Sequence, residues 1–583
     1  MGFIRWRAVR DRQEEDVIMT SSRIKTGLQF GSSRRNVIGH GSALLAGAML
    51  ATPNRALAAR RKPVLVETVH GKLRGLRENG VAFFKGVHYA QSAGGKNRFM
   101  PPQPVIPWAG IRDATQFGPP CIQTNPDFEP WTDPMPGSED CLVLNVWAPE
   151  TALGRTKLPV MFWIHGGGYS FGSAGAPLYD LANLAAKGDV VAVSINHRLH
   201  GFGFTDLTAA GSEFAGTGNA GILDILAALR WVRSNISQFG GDPDNITVFG
   251  QSGGGSKIAT MMGMPEGRGL FHKAINQSGP ISRYRERDEA LEMTERMFSL
   301  LGIARNDVAA LQAVPADRLL DCFNKIMNEA RGTGHPALKY APVIDGYFLP
   351  SRPWEHSAPP GASAIPLLAG TTKDETIIYM PEYAFGPLGN DAAIGRAVIE
   401  STPAYTPDIG TVNGLVPFYR KTMGNPSDLE LVLQISTDLS YWKEINKHAT
   451  LQARAGAPVF AYRCDWETPC FGGMYAPHTM ELPLVLGNLR YGAAWDGKDT
   501  DADRVAADPK GDRFRLSERM MAMWTNFARR GNPSTDELAW PNYTLEKRSI
   551  MLLDRECKVV DDLRGVVRMA LPKCPPSAPM AQN

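Results

Sequence analysis

Ser252 stands in the run Asn245-Ile246-Thr247-Val248-Phe249-Gly250-Gln251-Ser252-Gly253-Gly254-Gly255, where an apolar strand pattern gives way to glycines around one hydroxyl. A serine hydroxyl is inert at neutral pH. To attack a carbonyl it must sit on a tight turn, within reach of a base and beside N–H groups that can receive negative charge. Glycines on both sides of Ser252 let a strand and the following helix approach closely enough to make that turn. The pattern G-x-S-x-G recurs at Gly168-Tyr169-Ser170-Phe171-Gly172. That copy leads into Ser, Ala, Gly and Pro, so Ser170 reads as a loop residue. The strand before Ser252 and the helical pattern over 253–262 after it read as a nucleophile elbow.

A second glycine run, Trp163-Ile164-His165-Gly166-Gly167-Gly168-Tyr169, follows another apolar strand. Consecutive glycines let backbone N–H groups point into open space, which is what a developing oxyanion requires. No Lys-Ser or Lys-Thr pair follows, so a phosphate-binding loop does not fit. An acid and a base come later in the chain: Asp374-Glu375 after the strand pattern 365–369, and His478 in the glycine-containing loop after 459–463. Ligands of open α/β sheets sit at the carboxyl ends of the strands, and serine, acid, histidine is the triad order of the α/β hydrolases. Residue order alone does not choose between Asp374 and Glu375. His165 and His197 read as structural hydrogen-bonding residues, and Asp224 and Glu481 as supporting ones.

The elements that must position these groups follow from periodicity. Residues 64–77 and 81–89 read as small antiparallel strands around a glycine-containing turn. Apolar strands at 142–147, 158–164, 190–196, 246–249, 273–276, 365–369 and 459–463 alternate with helical or looped stretches, and 219–232 has a helical apolar period. Such runs, apolar on both faces, predict an α/β fold with a large, mostly parallel sheet buried between helices. Two excursions, 283–337 and 382–447, interrupt the rhythm and read as insertions over the active-site end of the sheet.

The N-terminus differs from the rest. Ser33-Arg34-Arg35-Asn36-Val37-Ile38 opens an apolar stretch to Met49, and Ala56-Leu57-Ala58 supplies small residues for cleavage, a twin-arginine-type export pattern over 1–58. Met19 is an alternative start. The expected mature chain, 59–583, is a single catalytic domain without an integral membrane segment. The leader holds nine Arg or Lys against four Asp or Glu, so the formal +3 of the whole chain becomes −2 without it. With no basic excess left, nucleic-acid binding is not expected. The composition, 43% hydrophobic and 21% charged, is that of an ordinary globular protein. Seven cysteines without zinc-ligand spacing fit an oxidising compartment, and Cys121 and Cys141 flank a loop rich in Pro, Asn and Asp. No cofactor or metal is called for.

At these residues the sequence resembles the type B carboxylesterases and lipases, the family that includes the cholinesterases, over residues 63–555. The resemblance rests on Ser138-Glu139-Asp140-Cys141-Leu142 with Leu144-Asn145-Val146, His165 to Gly168, Asn196 with Arg198-Leu199, Gly218-Asn219 with Asp224, and Gly250 to Gly253. Asp374-Glu375, His478 with Glu481-Leu482, and Trp524 with Asn526-Phe527-Ala528 continue it in order. It implies an α/β-hydrolase fold and hydrolysis of a small-molecule carboxylic ester through an acyl-enzyme. It further implies Ser252 as nucleophile, His478 as general base and acid, Glu375 as the orienting carboxylate, and Gly167, Gly168 and Gly253 as oxyanion donors. Cys121 with Cys141 would form the family's first disulfide. Gln251 replaces the usual Glu, Thr376 the usual Gly, His197 a frequent Tyr and Ile225 a frequent Gln. An inactive adhesion-type member is the rival reading, but such members usually lack part of the triad.

Trp131, Tyr169 and Gln251 are the expected substrate-binding residues. Trp131 lies ten residues before Cys141, the spacing at which cholinesterases carry the tryptophan that stacks on a quaternary ammonium. Gln251 lacks the acidic residue's negative potential, so neutral or bulky apolar esters are expected rather than choline esters.

Overall fold

Strands that are apolar on both faces need cover on both faces, and the computed structural model of the chain supplies it around a thirteen-stranded sheet. The residues described are 61–124, 131–155, 157–333, 339–402, 408–492, 506 and 508–571. The twin-arginine-type segment 1–58 lies outside them. No helix among the described residues is long and apolar enough to cross a membrane.

The strands are β1 Lys62–Thr68, β2 Gly71–Glu78, β3 Val81–His88, β4 Ile111–Asp113, β5 Val143–Pro149, β6 Leu158–Ile164, β7 Val191–Ile195, β8 Gly241–Gln251, β9 Lys273–Gln277, β10 Leu367–Thr372, β11 Val459–Cys464, β12 Ile550–Leu553 and β13 Lys558–Val560. They lie in the order β1-β2-β3-β5-β7-β6-β8-β9-β10-β11-β12-β13, with β4 against β2. From β7 to β12 every pairing is parallel, whereas β2-β3-β5-β7 and β12-β13 pair antiparallel. In the middle, Val248 of β8 lies level with Phe162 of β6 and Ala274 of β9, all fully buried. This is the mixed sheet of an α/β-hydrolase fold. The helices Ala220–Asn235, Gly253–Gly263, Lys443–Arg454 and Asp512–Arg530 pack against its central strands.

Three sequence expectations change. Residues 64–77 form two strands, because Val69 and His70 turn the chain and Gly71 follows with φ 143°. The excursion 382–447 is more than cover: its last helix, Lys443–Arg454, packs on β10 and β11 and belongs to the sheet's own crossover layer.

The third correction concerns the Cys121–Cys141 disulfide, which is absent: both residues are buried free thiols with no Sγ–Sγ bond. A hydrogen bond with Cys121 and then burial raise the pKa of the Cys141 thiol and keep it protonated. The loop is closed without covalent help. Cys121 bridges Ser138, Ser138 N donates to Pro120 O at 2.9 Å, and Arg98 forks onto Glu139 with two bonds of 2.6 Å.

Candidate active site

Where β8 ends and the helix Gly253–Gly263 begins, Ser252 takes φ 56° and ψ −123°. A non-glycine residue in such a conformation costs about 1–3 kcal/mol and persists only where the surroundings enforce it. They do so here. A Cβ on Gly254 would lie 2.1 Å from Ile164 O, so only glycine allows the helix to start this close to β6. Ser252 N donates to Gln277 O of β9 at 2.7 Å, and Ser252 O accepts from Ser256 N at 3.0 Å. The serine side chain is left partly exposed. Ser170, by contrast, lies in a turn, its N–H bonded to Gly167 O at 3.1 Å.

Just past β6, Gly167 and Gly168 have φ 84° and 61°, a left-handed pair that glycine tolerates without steric cost. The Cβ position of Gly253 lies 2.6 Å from Gly168 N, so the loop abuts the N-terminus of an eleven-residue helix. Helix N-termini carry partial positive charge. Backbone donors from two elements therefore meet beside Ser252.

β10 and β11 deliver the acid and the imidazole to the same edge of the sheet. Glu375 Oε2 accepts from His478 Nδ1, while Glu375 Oε1 accepts from Ser278 Oγ at 2.6 Å and Thr372 N at 2.8 Å. Both the glutamate and the histidine are buried. The Asp374 carboxylate accepts instead from Ala476 N at 2.9 Å and ties down the backbone of the histidine loop. Burial pushes the Asp374 carboxyl up to about 6. Thr376, in the place of the family's glycine, turns away to bond Ser436 Oγ at 2.6 Å and Thr437 Oγ1 at 3.0 Å.

The three expected substrate-binding residues end in different surroundings. The Gln251 amide lies 3.0 Å from His478 Nε2 and 3.4 Å from Nδ1, touching the imidazole. Tyr169 is buried, edge-on to Phe204 with ring centroids 5.1 Å apart. Burial raises its phenol to about 12. Trp131 hydrogen-bonds the Tyr179 side chain, which also bonds the backbone of Gly166, so it borders the glycine loop.

Tyr441, Tyr379 and Lys257 escaped the sequence reading, whereas His165, His197 and Glu481 were read there as structural or supporting residues. The π-turn Asp438–Trp442 places the Tyr441 ring 4.7 Å from that of His478, and Tyr379 lies 5.9 Å away. Lys257, fully buried, donates to His165 O at 3.3 Å, with its Nζ 5.5 Å from the Tyr169 ring centroid. Burial lowers its ammonium to about 7. His165 and His197 stack at 4.6 Å, and burial followed by the charge of Lys257 lowers both, His165 to about 3. Glu481 accepts from Gln277 Nε2 at 3.2 Å, and burial together with the Glu375 charge raises it to about 8. A lysine in a helix otherwise made of Gly, Ser, Ile, Ala, Thr and Met was a readable signal. The tyrosines, distant in sequence and set in helical or irregular chain, gave none.

Comparison with known proteins identifies the family. The carboxylesterase family model matches residues 62–566. The chain is 37% identical to the para-nitrobenzyl esterase of Bacillus subtilis (strain 168), covering 87% of this chain and 98% of that protein. It is 32% identical to the phenmedipham hydrolase of Pseudarthrobacter oxydans, covering 86% and 97%. A solved structure of a Geobacillus stearothermophilus carboxylesterase superposes with a TM-score of 0.72 at 36% identity, covering 87% of this chain and 99% of that one. The chain thus belongs to the carboxylesterase family and hydrolyses small-molecule carboxylic esters as a serine-type hydrolase.

Proposed function

We propose that Ser252, His478 and Glu375 are the catalytic triad of this esterase and that Gly167, Gly168 and Gly253 donate to the oxyanion. The observation that carries the reading is the strained elbow at Ser252, at one sheet edge with the glycine loop and the Glu375–His478 pair. Ser252 Oγ attacks the ester carbonyl while His478 Nε2 takes its proton. The carbonyl oxygen becomes an oxyanion held by backbone N–H groups. Collapse of the tetrahedral species breaks the C–O bond, and His478 returns the proton to the leaving alcohol. Water repeats the sequence on the acyl-enzyme, releasing the acid. Glu375 keeps the proton on His478 Nδ1 and stabilises the imidazolium formed in each step.

Ser252→Ala should abolish turnover of a chromogenic short-chain ester and labelling by a fluorophosphonate probe, while Ser170→Ala keeps most of both. Equal losses would overturn the assignment. We also propose that residues 1–58 form a cleaved export signal, on the strength of Arg34-Arg35 and Ala56-Leu57-Ala58. N-terminal sequencing of the protein recovered from the periplasm or medium tests this; an intact leader there would refute it.

A further inference from the structure

Gly166, Gly167 and Gly168 have the widest backbone freedom a chain can have, yet N–H donors that are to meet an oxyanion must be in place before the charge develops. The chain around them is tied down carbonyl by carbonyl. Gly167 O accepts from Ser170 N at 3.1 Å and Phe171 N at 3.2 Å, and Tyr169 O accepts from His200 N at 2.8 Å. Past the loop, Gly172 N donates to Gln123 Oε1 at 2.7 Å and Gly172 O accepts from Gln123 Nε2 at 3.0 Å. At the near end, where β6 gives out, the anchor is Lys257, whose Nζ donates to His165 O at 3.3 Å.

On grounds of stability alone a lysine is an odd choice for that anchor. Lys257 is fully buried on the helix Gly253–Gly263, and burying an ammonium is costly. Contact between this helix and β6 is already made without it, since a Cβ on Gly254 would lie 2.1 Å from Ile164 O and 3.1 Å from His165 O. What the lysine adds is a link from the helix that begins after Ser252 to the peptide that starts the glycine run. Ser252 O accepts from Ser256 N at 3.0 Å, and Lys257 is the next residue, so the nucleophile and the loop donors are referred to one rigid element. Nζ also stands 5.5 Å from the ring centroid of the buried Tyr169, which follows the run. The bond to His165 does not depend on charge: ammonium and free amine both carry N–H donors, so it persists on either side of the lysine's pKa of about 7.

We propose that Lys257 is a positioning residue for the ester reaction: it holds the His165 carbonyl so that the N–H groups of Gly167 and Gly168 face the place where the oxyanion forms. It acts through the loop and touches no substrate. The inference rests on the oxyanion assignment of those glycines. A misplacement of about 1 Å at a catalytic group costs on the order of 10²-fold in rate, so a single bond at the root of the loop is enough to matter.

Lys257→Met removes the donor and keeps an unbranched apolar stem. On a chromogenic short-chain ester its kcat should fall about 10- to 100-fold with KM within about twofold of wild type, because the loop donors are felt in the transition state rather than in the bound ester. Affinity for a trifluoromethyl alkyl ketone should weaken by a similar factor: Ser252 Oγ adds to its carbonyl carbon, His478 takes the proton, and the carbonyl oxygen becomes an oxyanion. Amide hydrogen exchange should quicken over 165–172 and stay unchanged in β6 and β8, while Tm holds or rises. Lys257→Gln keeps an N–H donor on a shorter stem and should lie between Met and wild type in kcat and in exchange. Unchanged kcat and ketone affinity in Lys257→Met, exchange that quickens throughout the sheet, or a Gln variant no better than Met overturns the inference. Ketone binding equally tight in Ser252→Ala would instead overturn the site assignment on which it rests.

Discussion

Gln251→Glu restores the carboxylate that this chain lacks, at almost unchanged volume and in a known position. The Gln251 amide nitrogen is 3.0 Å from His478 Nε2, and both side chains are buried. A carboxylate there would attract the imidazolium by about 5 kcal/mol at an effective dielectric constant near 20. Desolvation of the new charge offsets much of that, and carboxylate neighbours at this range shift a partner by about 1–3 pH units. The sign follows from which form is favoured: a negative neighbour stabilises protonated histidine, so the base form appears at higher pH. We expect the acid limb of kcat/KM against pH to move upward by about 1–3 units, with the alkaline plateau retained. The assay is kcat/KM on a short chromogenic ester between pH 5 and 9, with Gln251→Met as the neutral control. A limb that stays in place, or moves equally in both variants, would refute the contact between residue 251 and His478.

Three further outcomes are expected. Glu375→Gln should lose several orders of magnitude in kcat/KM with its fold intact, whereas Asp374→Asn, which can still accept from Ala476 N, should lose far less; the reverse ranking would move the orienting role to Asp374. Gly253→Ala puts a Cβ 2.2 Å from Gly168 O, so kcat should fall about 10²- to 10³-fold with circular dichroism unchanged; normal turnover would mean the loop and helix do not act together. Lys257 is lowered from 10.5 to about 7, so the cost of burying its charge is full below pH 7, about 5 kcal/mol, and fades as the pH rises towards 10.5. Lys257→Met should therefore raise Tm more at pH 6.5 than at pH 9.5, and an equal gain at both would refute the buried-charge account.

What the sequence made legible was what short-range rules govern. The elbow could be read because a strand, a serine and three glycines are consecutive, and the parallel sheet because its strands are apolar on both faces. β1 and β2 merged because the turn at Val69 and His70 breaks an alternating pattern with no proline or asparagine to mark it. β12 is only four residues long and depends on pairing with β11. The state of Cys121 and Cys141 was not legible, since spacing says nothing of oxidation and the loop they flank is held by Arg98, Glu139 and Ser138. Tyr441 reaches His478 from an insertion far away in sequence, so no local pattern could bring them together.

The four departures from the family pattern divide by physical consequence. Ile225 is fully buried in the hydrophobic core, and Thr376 bonds into the helix Asp428–Thr437, so both are absorbed by packing. Gln251 and His197 instead alter the charge around the reacting groups. Gln251 removes an anion from the edge of His478. His197 stacks on His165, and both imidazoles are held neutral beside Lys257 under the glycine loop. Relative to the family pattern, His478 lacks a neighbouring carboxylate, and this is the difference that Gln251→Glu is expected to reverse.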